Sequence, residues 1–304
     1  MLRSGLIVLG NVVCLKMSRM YQVAGHCFVV DGERLCKAVE SMDGFDPFVI
    51  DTGNALFSFT ERDGCPEMLK SLYEFGYEDI DGIFGRTAEG YLLRLKPQDE
   101  EALELWCRAG EARVMIGGNL SLRLLRFAMW IGVGLMVAPY DTVAIHGSCI
   151  VYEGKAVVFL GESGTGKSTH TRLWQEHIAG AFLLNDDSPF LRAEGGKIWA
   201  YGSPWSGKTP CYRQERYELK ACVRLSQSNT NNICKLDTLN AYGAIHPSCP
   251  PAFAYDEHLY DYISSFLDKL LSTTPFYHLE CLPDRESVSL SFKNIFNGHI
   301  SDQN

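Results

Sequence analysis

The chain has 304 residues, 46% of them hydrophobic and 21% charged, and this composition excludes intrinsic disorder, collagen and a small disulfide scaffold as descriptions of the whole chain. Its 28 basic and 37 acidic residues give a net charge of −9, which argues against nucleic acid or an anionic membrane as the main partner. The length suggests about two domains. The 11 cysteines include no C-x-x-C pair, and their irregular spacing indicates reduced thiols in a cytoplasmic protein.

Two apolar stretches superficially look like membrane-directed segments, and neither is predicted to be one. Residues 1–15 are largely apolar, but Lys16 and Arg19 follow at once and no small-x-small cleavage site is present. We expect the first 16–19 residues to be disordered or to lie outside the native product. The run at residues 127–139 is about 13 residues long, whereas a bilayer span needs about 20, so it predicts a buried core helix.

Residues 20–112 are predicted to form a smaller α+β domain, rich in antiparallel strands and of unknown role. The acidic, polar stretch at residues 97–107 predicts a connection between domains, and residues 120–137 predict a long apolar helix. The predicted strands of this half lie at residues 26–30, 47–50, 56–60 and 91–95.

Residues 113–304 are predicted to form an α/β domain with a mixed sheet. Residues 155–160, K-A-V-V-F-L, are a compact apolar run suited to a strand buried on both faces. Helices are predicted at residues 169–178, ended by Gly180, and at residues 258–271. The other predicted strands lie at residues 143–146, 148–152, 181–184, 190–193, 197–201 and 276–282.

A phosphate-binding loop is the strongest signal, because residues 161–168 match G-x-x-x-x-G-K-[ST] between a predicted strand and a predicted helix. Glycines let backbone N–H groups turn inward around phosphate oxygens, and the helix directs its N-terminal dipole at the same anion. Lys167 is placed to bridge the terminal phosphates of ATP, and the Ser168 hydroxyl to ligate Mg²⁺. The predicted nucleotide-binding residues are Gly161, Glu162, Ser163, Gly164, Thr165, Gly166, Lys167, Ser168 and Thr169.

Residues 202–209, G-S-P-W-S-G-K-T, match the same pattern, but a second phosphate loop is not predicted there. Pro204 removes one backbone donor, and Pro210 holds the preceding residue in extended geometry, which prevents a helix from starting. The segment is predicted to be a loop near the first site. Two interpretations of Lys208 stay open, namely contact with a phosphate or anionic substrate, and a solvated surface lysine.

Asp186 and Asp187 form an acidic pair at the end of a predicted strand. Near a triphosphate, one carboxylate can hold Mg²⁺ while the other accepts the proton of an attacking hydroxyl. Adjacent side chains on a strand point in opposite directions, which favours two different tasks. The alternative is an ordinary Asp-rich turn. His146 precedes the buried strand, and a lone histidine is usually structural.

His146-Gly147, the loop G-E-S-G-T-G-K-S and the strand-end N-D-D together resemble the HPr serine kinase/phosphorylase family, and the wider group with the phosphoenolpyruvate carboxykinase-type nucleotide fold. The resemblance covers about residues 140–220. It implies a P-loop kinase domain over residues 113–304, in which Asp186 is the base that activates the acceptor hydroxyl. It also implies that Asp187 holds the metal and that His146 lies beside the reacting phosphate.

The chain departs from that family at three points. Thr169 stands where HPr kinases typically carry Glu, residues 1–110 do not resemble their N-terminal domain, and their C-terminal signature for handling HPr is not visible. The G-S-P-W-S-G-K-T segment is similar to that of uncharacterised HPr-kinase-related proteins. Carboxykinase activity is not expected, because the full metal-ligand set of those enzymes is not found.

The predicted function is an ATP- and Mg²⁺-dependent kinase that transfers phosphate to a serine-like hydroxyl of a protein, peptide or small molecule. The alternative is a nucleotide-binding regulatory or accessory protein with little turnover. The acidic pair favours the enzyme, because binding alone needs no positioned base. Homo-oligomer formation is left open.

Three weaker candidates are predicted to be structural. His170 and His177 lie seven residues apart and predict one face of a helix surface. Residues 246–249, H-P-S-C, predict a turn without a nucleophile. Arg213 and Arg216 either neutralise phosphate charge or form a solvated helix face, and the helix face is favoured.

Overall fold

The computed structural model describes residues 18–298, apart from Lys208 and the side chain of Tyr77. The chain forms two compact units, one ending at Val137 and including Ala252–Glu257, the other comprising Ala138–Pro251 and the residues from His258 onward. The division falls after the long apolar helix, whereas the sequence predicted it at residue 112. The predictions for residues 1–17 and for Lys208 lie outside the described residues.

The first unit is built on a mixed sheet of eight strands in the order β1-β2-β3-β8-β7-β6-β5-β4. β3 pairs in parallel with both β2 and β8, and the other neighbours are antiparallel. The strands are β1 (Ser18–Val23), β2 (His26–Asp31), β3 (Ala55–Glu61), β4 (Lys70–Tyr77), β5 (Ile80–Arg86), β6 (Gly90–Pro97), β7 (Leu103–Arg108) and β8 (Arg113–Gly118).

Two sequence predictions for this unit are wrong. Residues 47–50 were predicted as a strand, but Asp46–Phe48 form a 3-10 turn, which suits Pro47 because its fixed φ starts a helical turn. Of the predicted strand, Val49 forms an isolated antiparallel bridge with Tyr21. Residues 97–107 were predicted as a connection between domains, but they contain most of β7. Leu103 and Leu105 of this strand are buried, although the stretch as a whole is polar and acidic in sequence.

Two helices belong to the first unit, α1 (Glu33–Glu40) and α2 (Leu122–Val137). The stretch Leu122–Tyr140 is long and apolar enough to cross a membrane by length and composition, but 61% of it is buried within the protein. At Gly132 the helix backbone lies close to side chains of the sheet, because a Cβ there would lie 2.6 Å from the Phe59 ring and 3.0 Å from Leu105. The predicted core helix is therefore present, packed on the sheet.

The second unit is built on a mixed sheet of nine strands with the path β12-β10-β11-β15-β14-β13-β9, and β17 and β16 continue from β15. β15 pairs in parallel with β11 and with β17, and the other pairs are antiparallel. The strands are β9 (Thr142–Ala144), β10 (Gly147–Tyr152), β11 (Lys155–Leu160), β12 (Phe182–Asp187), β13 (Phe190–Glu194), β14 (Lys197–Tyr201), β15 (Arg216–Gln227), β16 (Asn232–Lys235) and β17 (Phe276–Cys281).

Four helices complete this unit, α3 (Lys167–His177), α4 (Thr238–Ile245), α5 (Glu257–Thr273) and α6 (Arg285–Phe296). Helices α3 and α6 cover one face of the sheet, where Trp174 packs edge-on against Phe159 and Phe292. β11 is fully buried from its second residue onward, as its apolar run predicts. The described chain is thus mixed α/β, with two mixed sheets and six α-helices.

The close approach at Gly132 generates a stability prediction. Gly132→Val forces two methyl groups against the rigid Phe59 ring, and overpacking of this kind costs about 1–3 kcal/mol. Gly243→Val in α4 is the matched control, because no heavy atom lies within 4 Å of a Cβ there. Denaturant unfolding of both variants is the measurement, and equal stability of the two would contradict the packing described for α2.

Candidate active site

Three strand ends of the second unit meet at one edge of its sheet. β10 runs antiparallel to both of its neighbours, so its first residue lies beside their last ones. Gly147 is opposite Leu160 at the end of β11 and opposite Asp187 at the end of β12. The phosphate-loop match, the acidic pair and His146, which directly precedes β10, are therefore brought together.

The loop between β11 and α3 has the backbone conformation that its glycines were expected to allow. Gly161, Gly164 and Gly166 have φ values of 148°, 84° and 101°, which L side chains rarely adopt. At Gly161 a Cβ would also lie 2.5 Å from Thr165 Oγ1. Gly166 is the N-cap of α3, so the helix N-terminus faces the interior of the loop.

Lys167 lies folded into its own loop. Its Nζ donates to the carbonyl oxygens of Gly161 at 2.7 Å and Glu162 at 3.1 Å, and lies 3.1 Å from His146 Nε2. These three contacts use all three donors of an ammonium group, so His146 Nε2 accepts and its Nδ1 carries the proton. Burial lowers the pKa of Lys167, while the charges of Asp187 and Asp186 act in the opposite direction.

Asp186 connects the end of β12 to the start of α3. Its Oδ1 accepts a hydrogen bond from Ser168 Oγ at 3.0 Å. The side chain is almost fully buried, and Oδ2 has no hydrogen-bond partner among the described residues. A buried carboxylate oxygen without a donor is costly, and it is the kind of atom that a cation or ordered water satisfies.

Asp187 contacts the other side of the site. Its Oδ1 lies 3.3 Å from His146 Nδ1, and both side chains are about half exposed. Its φ of 125° is unusual for any residue except glycine, and such strain is concentrated at functional positions. The site thus contains two chains of contacts. Asp186 contacts Ser168 directly, and Asp187 reaches Lys167 through His146.

A cleft of about 620 Å³ lies beside the loop. Residues 164–166 and Thr169 form one wall, and the segments that follow β15 and β17, residues 227–229 and 281–283, form the other. Gln227 Nε2 donates to the Gly164 carbonyl at 3.1 Å, which ties β15 to the loop. The volume is within the usual range for a small-molecule site. Residues 227–229 and 281–283 were not predicted from the sequence, because no pattern marks the strand ends that the topology brings to the loop.

The prolines of the second glycine-rich segment predicted that no helix follows it, and the structure has none among the described residues there. The segment lies along the outer edge of β12. Asp187 and Ser206 form an isolated antiparallel bridge, and Gly207 N–H donates to the Asp186 carbonyl at 2.5 Å. Further along, Cys211 Sγ lies 3.3 Å from the Leu183 carbonyl. The segment therefore packs beside the acidic pair.

The structure corrects two of the weaker predictions. His170 is not on a helix surface but is buried beside Trp174 and Phe159. Arg213 and Arg216 are not on a helix: the Arg213 guanidinium lies over the Phe182 ring, and Arg216 begins β15.

Residues 246–249 follow the prediction of a turn. His246–Ser248 form a 3-10 turn. Cys249 is buried, and burial raises the pKa of its thiol to about 12, which excludes a thiolate nucleophile near neutral pH.

Within residues 18–298, Lys208 excepted, no three His, Cys, Asp or Glu side chains are grouped so as to hold a metal ion. No protein-family model matches the chain, and no curated protein matches its sequence. The resemblance to HPr kinases therefore stays a prediction from the motifs.

The buried His170 generates a pH prediction. Burial lowers the pKa of His170 to about 3, and its Nε2 accepts from the Trp174 indole at 3.2 Å, which requires the neutral ring. The ordinary pKa of about 6.5 holds in the unfolded chain, so below that pH the unfolded state binds the extra proton first. The contribution of His170 to the free energy of unfolding should therefore fall by at most about 1.4 kcal/mol per pH unit between pH 6.5 and about pH 3.

The control is His170→Gln, which keeps an acceptor but does not titrate. Its free energy of unfolding between pH 7 and pH 5, measured by urea denaturation, should decline less steeply than that of the wild type. Equal slopes for the two proteins would contradict a neutral, buried His170.

Proposed function

We propose that the protein is an ATP- and Mg²⁺-dependent phosphotransferase that transfers a phosphoryl group to a hydroxyl. One observation carries the proposal: a phosphate-loop conformation, a buried lysine, two carboxylates and a histidine converge at one sheet edge. Positioning and charge stabilisation are the main requirements of phosphoryl transfer, and this group of side chains supplies both.

The donor side of the site suits a nucleoside triphosphate. The loop presents backbone amides and a helix N-terminus to an anion, and Lys167 adds a positive charge. The cleft along residues 164–166 offers space for a nucleoside whose phosphates enter the loop. To contact phosphate, Lys167 must exchange its bonds to the loop carbonyls for bonds to phosphate oxygens.

The residues at the start of α3 fit Mg²⁺. This ion keeps several waters and takes one or two protein oxygens beside substrate phosphates, so no larger cluster of acidic ligands is required. Ser168 Oγ and Asp186 are 3.0 Å apart, and the buried Asp186 Oδ2 lacks a donor. We propose that these two residues hold the ion, directly or through water. When bound, Mg²⁺ would neutralise charge on the phosphates.

The contacts favour roles for the two aspartates opposite to those that the resemblance implies. Asp186 contacts the residue proposed to bind the metal, whereas Asp187 contacts His146 and is open to solvent. We therefore propose that Asp187 accepts the proton of the acceptor hydroxyl and that the His146 Nδ1–H orients its carboxylate. The acceptor must approach from the solvent side of this pair.

The alternative function, nucleotide binding with little turnover, explains less of the site. Binding accounts for the loop and the cleft, but it does not account for a strained, half-exposed Asp187 paired with a histidine. The cytoplasmic location, the absence of nucleic-acid and membrane partners, and the open question of homo-oligomers stay predictions from the sequence.

The first test concerns the phosphate loop. Lys167→Ala removes the ammonium group that faces the loop interior, and ATP–Mg²⁺ affinity measured by calorimetric titration should fall at least about tenfold, the loss of one charge-assisted hydrogen bond. Lys208→Ala, in the second matching segment, should change the affinity much less. Equal losses from both variants would contradict a single phosphate loop.

The second test separates the two aspartates. Asp187→Asn should lower turnover by about 10²–10⁴-fold with nucleotide binding nearly intact, the usual effect of losing a general base. Asp186→Asn should instead raise the Mg²⁺ concentration needed for both binding and turnover. The measurement is the Mg²⁺ dependence of ATP binding and of phosphotransfer to a panel of hydroxyl compounds and peptides.

Three outcomes are informative. The expected pattern supports the division proposed from the contacts. The reverse pattern restores the assignment implied by the resemblance, with Asp186 as the base. Unchanged turnover in both variants would mean that neither carboxylate takes part in the reaction.

A further inference from the structure

The second glycine-rich segment has a role that the proposed function does not use. We propose that residues 202–207 and 209–211, here called the clamp, position Asp187 against His146, with Gly207 and Ser203 as its positioning residues. The role in turnover rests on the proposed function, whereas the positioning itself does not.

The clamp occupies the open edge of the strand that carries the acidic pair. β12 is the terminal strand of its sheet, so its outer backbone groups have no strand partner. The clamp supplies a partner instead: Gly207 N–H donates to the Asp186 carbonyl at 2.5 Å. Ser206 Oγ lies 3.2 Å from the same oxygen, and its one hydrogen has a shorter contact with the Thr209 carbonyl, at 2.7 Å. The strand end is therefore fixed from both sides, by β10 and by the clamp.

A buried polar network anchors the clamp. Asn185 Nδ2 donates to the Trp205 carbonyl at 3.0 Å and to Ser203 Oγ at 3.2 Å, and its Oδ1 accepts from Ser188 N–H at 2.9 Å. Ser203 Oγ in turn donates to the Ser188 carbonyl at 2.7 Å. Asn185 and Ser203 are completely buried. Such buried networks favour one geometry, because any rearrangement must keep the buried polar groups paired.

This geometry includes a close approach that leaves little room for a side chain at residue 207. A Cβ on Gly207 would lie 3.1 Å from Asp187 Cβ and 3.3 Å from the Asp186 carbonyl oxygen. Asp187 has the φ of 125° noted above, and it persists only if its surroundings impose it. The clamp lies directly against this residue, so packing against Asp187 accounts for a glycine at residue 207 without a second phosphate loop.

The test is Gly207→Ala, with Gly243→Ala as the matched control because no heavy atom lies within 4 Å of a Cβ at residue 243. The first measurement is the crystal structure of each variant. In Gly207→Ala, Asp187 should shift by a few tenths of an ångström, so the 3.3 Å distance between its Oδ1 and His146 Nδ1 should change, and in Gly243→Ala that distance should stay the same. An unmoved Asp187 in a folded Gly207→Ala protein would overturn the proposal, whether or not the protein is a kinase.

The second measurement is a double-mutant cycle on turnover. Gly207→Ala should lower kcat several-fold, less than the loss of about 10²-fold that a misplacement of about 1 Å causes, because the expected shift is only a few tenths of an ångström, and it should leave the nucleotide KM nearly unchanged. In an Asp187→Asn background the same change should have little further effect, because the clamp acts through Asp187. Fully additive effects would overturn the proposed role in the reaction.

Ser203→Ala covers the case in which Gly207→Ala does not fold. It creates no clash, and it removes the donor to the Ser188 carbonyl and one acceptor for Asn185. The same displacement of Asp187 and the same loss of kcat are expected. A folded Ser203→Ala protein with Asp187 in place and full turnover would overturn the proposal.

Discussion

Strand β10 pairs antiparallel with β11 on one side and with β12 on the other, and the candidate site depends on this register. Because Gly147 is opposite both Leu160 and Asp187, the loop that follows β11 and the acidic pair that ends β12 lie on either side of His146. A slip of one residue would turn each side chain to the other face of the sheet. The buried apolar residues of β10 and β11 fix the register.

Hydrogen bonds to neutral groups satisfy most of the charged side chains of the site. Lys167 satisfies its three donors with two loop carbonyls and His146, and Ser168 satisfies one oxygen of Asp186. Asp186 Oδ2 and the strained backbone of Asp187 are not compensated in this way. The unsatisfied oxygen lies at the proposed metal position and the strained residue at the proposed acceptor position, and unsatisfied or strained groups are often found at ligand-binding sites.

The sequence predicted the parts of this site that depend on local chemistry. The glycines and the apolar strand predict a loop at residues 161–168, whose glycines have the expected positive φ values, and two prolines predict that no helix follows residues 202–209. The contacts that depend on topology were not predictable. The cleft formed with residues 227–229 and 281–283, the burial of His170, and the strand at Leu103–Arg108 all follow from tertiary pairing, which no local pattern encodes.

A crystal structure of the complex with Mg²⁺ and a non-hydrolysable ATP analogue tests the account most directly. We expect the nucleoside in the cleft along residues 164–166 and the phosphates within the loop. We also expect Lys167 Nζ to be bonded to phosphate in place of the Gly161 carbonyl. The ion is expected beside Ser168 and Asp186. A nucleotide bound elsewhere in the molecule, or Lys167 still folded onto its own loop beside bound phosphates, would contradict the account.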